Sequence, residues 1–168
     1  MSAPLVHLLC GSTGAGKTTY AIRLAKQLNG IHFAIDEWMT GLFGPDTEGL
    51  APFPWIAERI SRCERQIAAT VRQLGRLGLP AVLDVSLQRI EQRERWQAIC
   101  REAGLGLRLH FIDVDASERW RRVSQRNERK GETYSITVTR PMFDFIETIW
   151  QPPSPEELAA LNGVRIAD

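Results

Sequence analysis

The chain has 168 residues, enough for one domain that buries about two-thirds of the surface its unfolded form exposes. A hydrophobic share of 43% and a charged share of 24% are ordinary for a globular protein, and no apolar run is long enough to span a bilayer. The net charge of only +1 argues against a protein that grips long nucleic acid by releasing counterions.

Residues 5–10 (LVHLLC) are an apolar run stopping at Gly11, which predicts a buried strand. Ile22, Ala25 and Leu28 recur at helical spacing over residues 18–28, and Asn29-Gly30 supplies a C-terminal stop. A second strand is predicted over 32–35, ending at Asp36. The stretch GLFGPDTEGLAPFP (41–54) is dense in Gly and Pro and reads as a loop. Helical spacing returns with Ile56, Ile60, Cys63, Ile67, Val71 and Leu74. Then follow a strand over 81–85 (AVLDV), a helix over 91–103 and a strand over 107–114. A helix over 117–130 is opened by Ser117, with Asp115 as an alternative cap. GETYSIT leads to a helix over 141–150, QPPSPEEL reads as a break, and residues 164–167 form a short last strand.

Apolar strands alternating with helices predict a parallel sheet covered on both faces. The expectation is a single doubly wound α/β domain over residues 1–168, with a mainly parallel five-stranded sheet. Three widely spaced cysteines, Cys10, Cys63 and Cys100, lack metal-ligand spacing and predict buried thiols in a reducing cytoplasm. The start, MSAPLVHLLCGSTG, carries neither a basic leader nor the apolar length of a signal peptide.

Gly11, Ser12, Thr13, Gly14, Ala15, Gly16, Lys17 and Thr18 fit the spacing G-x-x-x-x-G-K-[ST], with a predicted strand before and a helix after. Glycines let the backbone curl so that successive N–H groups point inward, and the helix N-terminus adds its positive dipole end. In such a loop Lys17 reaches the β- and γ-phosphates and the Thr18 hydroxyl ligates Mg²⁺, with Thr19 beside it. A nucleoside triphosphate is the expected ligand.

Ligands of doubly wound sheets sit beyond the carboxyl ends of the strands, where Asp36 and Asp84 fall. Asp36 is either a helix cap or the base that accepts the proton of an attacking hydroxyl; the chemistry of phosphoryl transfer favours the base. Asp84 suits the acid beside the metal. Arginine outnumbers lysine eighteen to three, a bias that phosphate binding and a GC-rich genome would both produce. Position is more informative: Arg119, Arg122, Arg126 and Arg129 recur at three- and four-residue steps on one predicted helix. Four like charges repel unless an anion lies opposite, so this helix reads as a mobile lid, about 117–140, closing over a triphosphate.

The phosphate loop, FAIDEWM, VLDVSLQRIEQRERW, RWRRVSQRNERKG and MFDFIETIWQPP occur in that order over nearly the whole chain. Together they resemble the P-loop kinases that include the 5′-hydroxyl kinase domain of polynucleotide kinase, zeta toxins and chloramphenicol phosphotransferase. That resemblance implies Asp36 as general base, Arg126 as the lid arginine on the phosphates with Arg122 assisting, and Asp84 near the metal. It also implies that Arg89 or Arg93 contacts substrate or phosphate. The polynucleotide-type enzyme carries a phosphatase domain, which this chain lacks.

Trp38, Met39, Phe43, Phe53 and Trp55, with Glu37, Asp46, Glu48 and Glu58, could line an acceptor pocket. The same aromatics could instead cover the edge of the sheet. The local acidity weighs against a 5′-polynucleotide end, which calls for basic residues beside the aromatics. The expected activity is ATP- and Mg²⁺-dependent transfer of the γ-phosphate to a hydroxyl of a small molecule. The alternatives are a 5′-hydroxyl polynucleotide kinase and a regulatory ATPase without a hydroxyl acceptor.

Overall fold

Five strands carry the architecture: β1 (Val6–Cys10), β2 (Ile31–Ala34), β3 (Ala81–Asp84), β4 (Leu107–Asp113) and β5 (Val164–Ala167). They lie in the order β2-β3-β1-β4-β5, and every neighbouring pair is parallel. The helices are α1 (Lys17–Leu28), α2 (Ile35–Phe43), α3 (Phe53–Arg76), α4 (Ile90–Glu102), α5 (Ala116–Arg129), α6 (Arg140–Ile149) and α7 (Pro155–Ala160). This computed structural model describes residues 5–46, 51–130 and 137–167. The chain builds β2 and β3 on one side of β1, then crosses through α4 to build β4 and β5 on the other. The carboxyl end of β1 is therefore the switch point, where an open α/β sheet presents its ligand crevice.

Alternation along β1 divides the core into two layers. Val6, Leu8 and Cys10 pack with Cys63, Ile67 and Val71 of α3 and Trp96 and Cys100 of α4. Leu9 faces the opposite way, onto Ala21 and Ala25 of α1. His7 shares that side: its Nδ1 lies 2.9 Å from Nε2 of His110, whose Nδ1 is 3.0 Å from the Tyr20 hydroxyl. Burial, ahead of His7 and Arg108, pushes the His110 pKa down to about 4, so the His110 ring stays neutral at pH 7. Cys10, Cys63 and Cys100 are buried free thiols, as expected from their spacing. No helix among the described residues is long and apolar enough to cross a membrane.

Four elements differ from the sequence reading, each for a local reason. Residues 35–43 are helical, although 41–54 reads as a loop, because Trp38, Met39 and Phe43 pack against the main core and hold α2 in place despite Gly41. Proline is tolerated in the first helical turn, where its missing N–H has no partner to lose. Pro54 therefore sits inside the start of α3, and Pro155 opens α7 behind the cap Ser154, whose Oγ accepts from the Glu157 N–H at 3.1 Å. What reads as a break at QPPSPEEL is a helix start. The cap of α5 is Asp115 rather than Ser117, accepting from the N–H groups of Ser117 and Glu118 at 2.8 and 3.3 Å.

Candidate active site

The turn from β1 into α1 has the curl that a phosphate loop requires. Gly14 has φ 82 and Gly16 φ 93, in the left-handed region that glycine enters without strain. A side chain at Gly14 would also meet the Arg119 carbonyl at 2.6 Å, so α5 lies directly on the loop. Residues 13–19, with Asp36, Asp84, Arg122 and Arg126, line a cleft of about 500 Å³. Tyr20, Arg23, Ile112 and Ile166 line it too, adding a partly apolar wall. Lys17 Nζ donates to the Gly11 carbonyl at 2.9 Å, folded back along the loop that it serves.

Thr18 Oγ1 donates to Asp84 Oδ2 at 2.6 Å, joining the first turn of α1 to the end of β3. Burial works against the Asp84 carboxylate, but His32, Lys17 and the Thr18 hydroxyl more than offset it, and its pKa lies below the ordinary value. His32 Nε2 is 3.9 Å from Asp84 Oδ2, too far to donate a hydrogen bond, so its influence is a longer-range one. A hydroxyl and an ionised carboxylate are hard oxygen donors of the kind Mg²⁺ takes. The described residues hold no cluster of three or more ionisable ligands. The Thr18–Asp84 pair fits a Mg²⁺ that takes few protein oxygens together with substrate phosphates and water.

Asp36 stands in the first turn of α2, solvent-exposed where it lines the cleft, with enough protein around it to weaken its hydration. Burial, and then the like charge of Asp84, raise its pKa, against the opposing pull of Lys17 and Arg126. Raised basicity in a cleft is a property a general base needs. Arg126 lines the same cleft, with its Nε buried and lacking a hydrogen-bond partner. Arg122 donates from Nε to Glu118 at 2.8 Å and from Nη1 toward the Ala15 carbonyl at 3.5 Å, beside the loop.

Several expected site residues take other roles. Arg119 does not share the cleft face of the arginine stripe. It is 4% exposed, and its fork grips Glu147 of α6 with two bonds of 2.7 Å. The Ser12 side chain likewise turns away from the cleft, and its hydroxyl donates to Glu147 Oε1 at 2.7 Å. Arg93 is not a substrate contact: it is 1% exposed and bidentate to Glu157 of α7, with Nη1 also on the Leu87 and Gln151 carbonyls. All its donors are turned inward, away from any acceptor. Arg89 is exposed at the head of α4, where its backbone N–H donates to Gln92 Oε1. Trp38 packs on Phe33 and the core. Trp55 lies under the Arg59 guanidinium and edge-on to Phe43. Neither tryptophan is among the cleft-lining residues. Glu48 and residues 131–136 of the expected lid lie outside the described residues.

Glu147 and Glu157 escape the sequence reading. A signal for the first exists: Glu147 stands four residues after the buried Phe143, so an acid occupies the packed face of an amphipathic helix. Asn127 is a further anchor, its amide pairing twice with the Val138 backbone and tying the approach to α6 onto α5.

The parallel sheet, the curled loop and the acidic edge define a P-loop nucleotide-binding protein with a kinase-like fold. The sequence pattern of the AAA_33 family, an AAA domain, matches residues 6–141, and the chain belongs to this family of P-loop kinases. Among solved structures, Chaetomium thermophilum Kti12 in complex with ADP-AlF3 is similar at TM-score 0.71 and 14% identity, over 96% of this chain and 88% of that one. A gluconokinase from Sinorhizobium meliloti 1021 is similar at TM-score 0.59 and 15% identity, over 98% and 82%. A chain of the Pnkp1/Rnl/Hen1 RNA repair complex is similar at TM-score 0.63 and 19% identity, over 94% of this chain but 50% of that one. At these identities the likeness is one of fold. No curated protein matches the sequence.

Proposed function

We propose that the chain is an ATP- and Mg²⁺-dependent phosphotransferase that moves the γ-phosphoryl group to a hydroxyl of a small polar molecule, such as a sugar, a nucleoside or an antibiotic. The observation that carries this reading is Asp36: a carboxylate of raised pKa, in one cleft with Lys17 and the Thr18–Asp84 pair. A protein that only hydrolyses a nucleotide has less need of a tuned base on the acceptor side. The gluconokinase neighbour, whose name denotes a polyhydroxylated acceptor, supports the same direction.

In this reading backbone N–H groups of the phosphate loop cradle the phosphates and Lys17 pairs with their β- and γ-oxygens. Thr18 and Asp84 would hold Mg²⁺, which would supply positive charge against the phosphate oxygens. Asp36 takes the proton of the acceptor hydroxyl as the hydroxyl oxygen attacks the γ-phosphorus, and the bond from that phosphorus to the β–γ bridging oxygen breaks to release ADP. Arg126, with Arg122, meets the charge on the transferring group.

The test is transfer from γ-³²P-ATP to pooled acceptors, namely aminoglycosides, chloramphenicol, nucleosides, sugars and 5′-hydroxyl oligonucleotides, by wild type and Asp36→Asn. Label in a small acceptor is expected, with a rate about 10²- to 10⁴-fold lower in the variant. Label in the oligonucleotide would move the assignment to a polynucleotide kinase. Label only in free phosphate, equally in both proteins, would remove Asp36 as base and leave a nucleotide hydrolase.

A further inference from the structure

Two buried arginine–carboxylate pairs fasten the C-terminal helices to the sheet edge, but they do not grip the same thing. Arg93–Glu157 closes on the carbonyls of Leu87 and Gln151. Arg119–Glu147 closes on the phosphate loop itself. Glu147 Oε1 accepts from both Ser12 Oγ and Arg119 Nη1, and Oε2 accepts from Nη2, each at 2.7 Å. The remaining donors of Arg119 reach the Val114 carbonyl at 2.9 Å and the Thr13 carbonyl at 3.3 Å.

The contact with Thr13 has a stereochemical consequence. A trans peptide is planar, with its C=O and N–H directed oppositely. Arg119 is buried and does not line the cleft, whereas Gly14 does. Drawing the Thr13 carbonyl toward Arg119 therefore turns the Gly14 N–H the other way, toward the loop's interior. The Ser12 hydroxyl bond fixes the residue before it. Arg119 holds this orientation only while its fork is itself held, and Glu147 holds it.

We propose that Glu147 is a positioning residue for the triphosphate: acting through Arg119 and Ser12, it sets the peptide orientation at the entrance of the phosphate loop and ties it to α6. It touches no nucleotide. The arrangement is preorganisation, in which donors are aimed before the ligand arrives and no reorganisation is needed on binding. The root of α5 is bonded to the loop, and the cleft arginines Arg122 and Arg126 extend from that fixed base.

The inference rests on the reading of the cleft as a nucleotide site, and the experiment separates the two. Binding of the Mg²⁺ complex of a non-hydrolysable ATP analogue is measured by titration calorimetry for wild type, Ser12→Ala, Glu147→Gln and Glu157→Gln, alongside thermal unfolding. Ser12→Ala leaves the ion pair and its contact with the Thr13 carbonyl intact and removes only the Ser12 bond. Binding should weaken about tenfold in Glu147→Gln and several-fold in Ser12→Ala, the scale of a charge-assisted hydrogen bond. Glu157→Gln, an equally conservative change in the other pair, should lower the unfolding temperature and leave binding within a factor of about two of wild type. If Glu147→Gln and Glu157→Gln lose the same stability and both bind as wild type does, Glu147 is a structural pin and the proposal is overturned. Failure of wild type itself to bind the analogue would overturn the nucleotide reading, and this inference with it.

Discussion

The two sides of the cleft are built on opposite principles. On the phosphate side, polar groups satisfy one another within the protein: Lys17 rests on the Gly11 carbonyl, Thr18 on Asp84, and Ser12 on Glu147. On the other side the Asp36 pKa is raised, and the Arg126 Nε is buried without a hydrogen-bond partner. The first arrangement stabilises the fold and holds a shape. The second leaves polar capacity that a buried group normally satisfies, and a substrate bound between Asp36 and Arg126 would satisfy it. The phosphate donor is shared across P-loop kinases and calls for a prebuilt cradle, while the acceptor differs from enzyme to enzyme.

The largest effects come from separating the pinned arginines from the open ones. Arg93→Ala leaves the Glu157 carboxylate facing a buried void where a guanidinium was, and should cost about 3–5 kcal/mol in urea unfolding. Arg126→Ala breaks no hydrogen bond of its Nε, and its stability should change by less than about 1 kcal/mol. Its phosphoryl transfer, in contrast, should fall by about 10²-fold as the charge facing the phosphoryl group is lost. Stability loss in Arg126→Ala as large as in Arg93→Ala would erase the distinction between the two sides.

A smaller effect is expected in pH dependence. The Asp36 pKa is raised above its ordinary value, and a general base works only when ionised. The kcat/KM of transfer should therefore fall as pH drops through the raised pKa, at a pH higher than an ordinary aspartate would give. Stability should run the other way in the same window. The fold favours the protonated form, so the contribution of Asp36 is fully present below the unfolded-state pKa and is lost as pH rises through the folded one. Asp36→Asn should remove both trends together. An acid limb that persists unchanged in the residual activity of the variant would assign the titration to another group.

These contrasts also explain what was legible in the sequence. The loop from Gly11 to Thr18 is local: its spacing, with a strand before and a helix after, carries the geometry within eight residues. The parallel sheet, and the fall of Asp36 and Asp84 at the carboxyl ends of strands, follow from the same βα alternation, whereas the strand order does not. The arginine stripe was half legible. Helical spacing places Arg119, Arg122 and Arg126 near one face, but the identity of an arginine's partner lies elsewhere in the chain. Glu147 is 28 residues beyond Arg119, and Glu157 is 64 beyond Arg93. Nothing in the local pattern separates an arginine that meets a ligand from one that meets a buried carboxylate. The prolines misled for a related reason, since FPW and SPEE are turn signals in isolation and helix starts once a cap and a packed face are present.

Arg89 and Arg93 give the finest cut of the comparison. They stand four residues apart near the start of one helix, and the family resemblance offered either as a contact for substrate or phosphate. Arg93 is spent on Glu157, so any reach of the acceptor toward α4 falls to Arg89, which is exposed. A solvated guanidinium gives up hydration when it binds, and such contacts are worth about 0–1 kcal/mol. Arg89→Ala should therefore raise the KM of the acceptor by about two- to fivefold and leave that of ATP unchanged. Because Arg89 bonds to the helix start through its backbone, its N–H donating to the Gln92 side chain and its carbonyl accepting from the Gln92 N–H, stability should be unaffected. An unchanged acceptor KM would confine the acceptor to the α2 side of the cleft. A raised KM that grows as salt is lowered would extend the site to α4 and mark the acceptor as carrying negative charge.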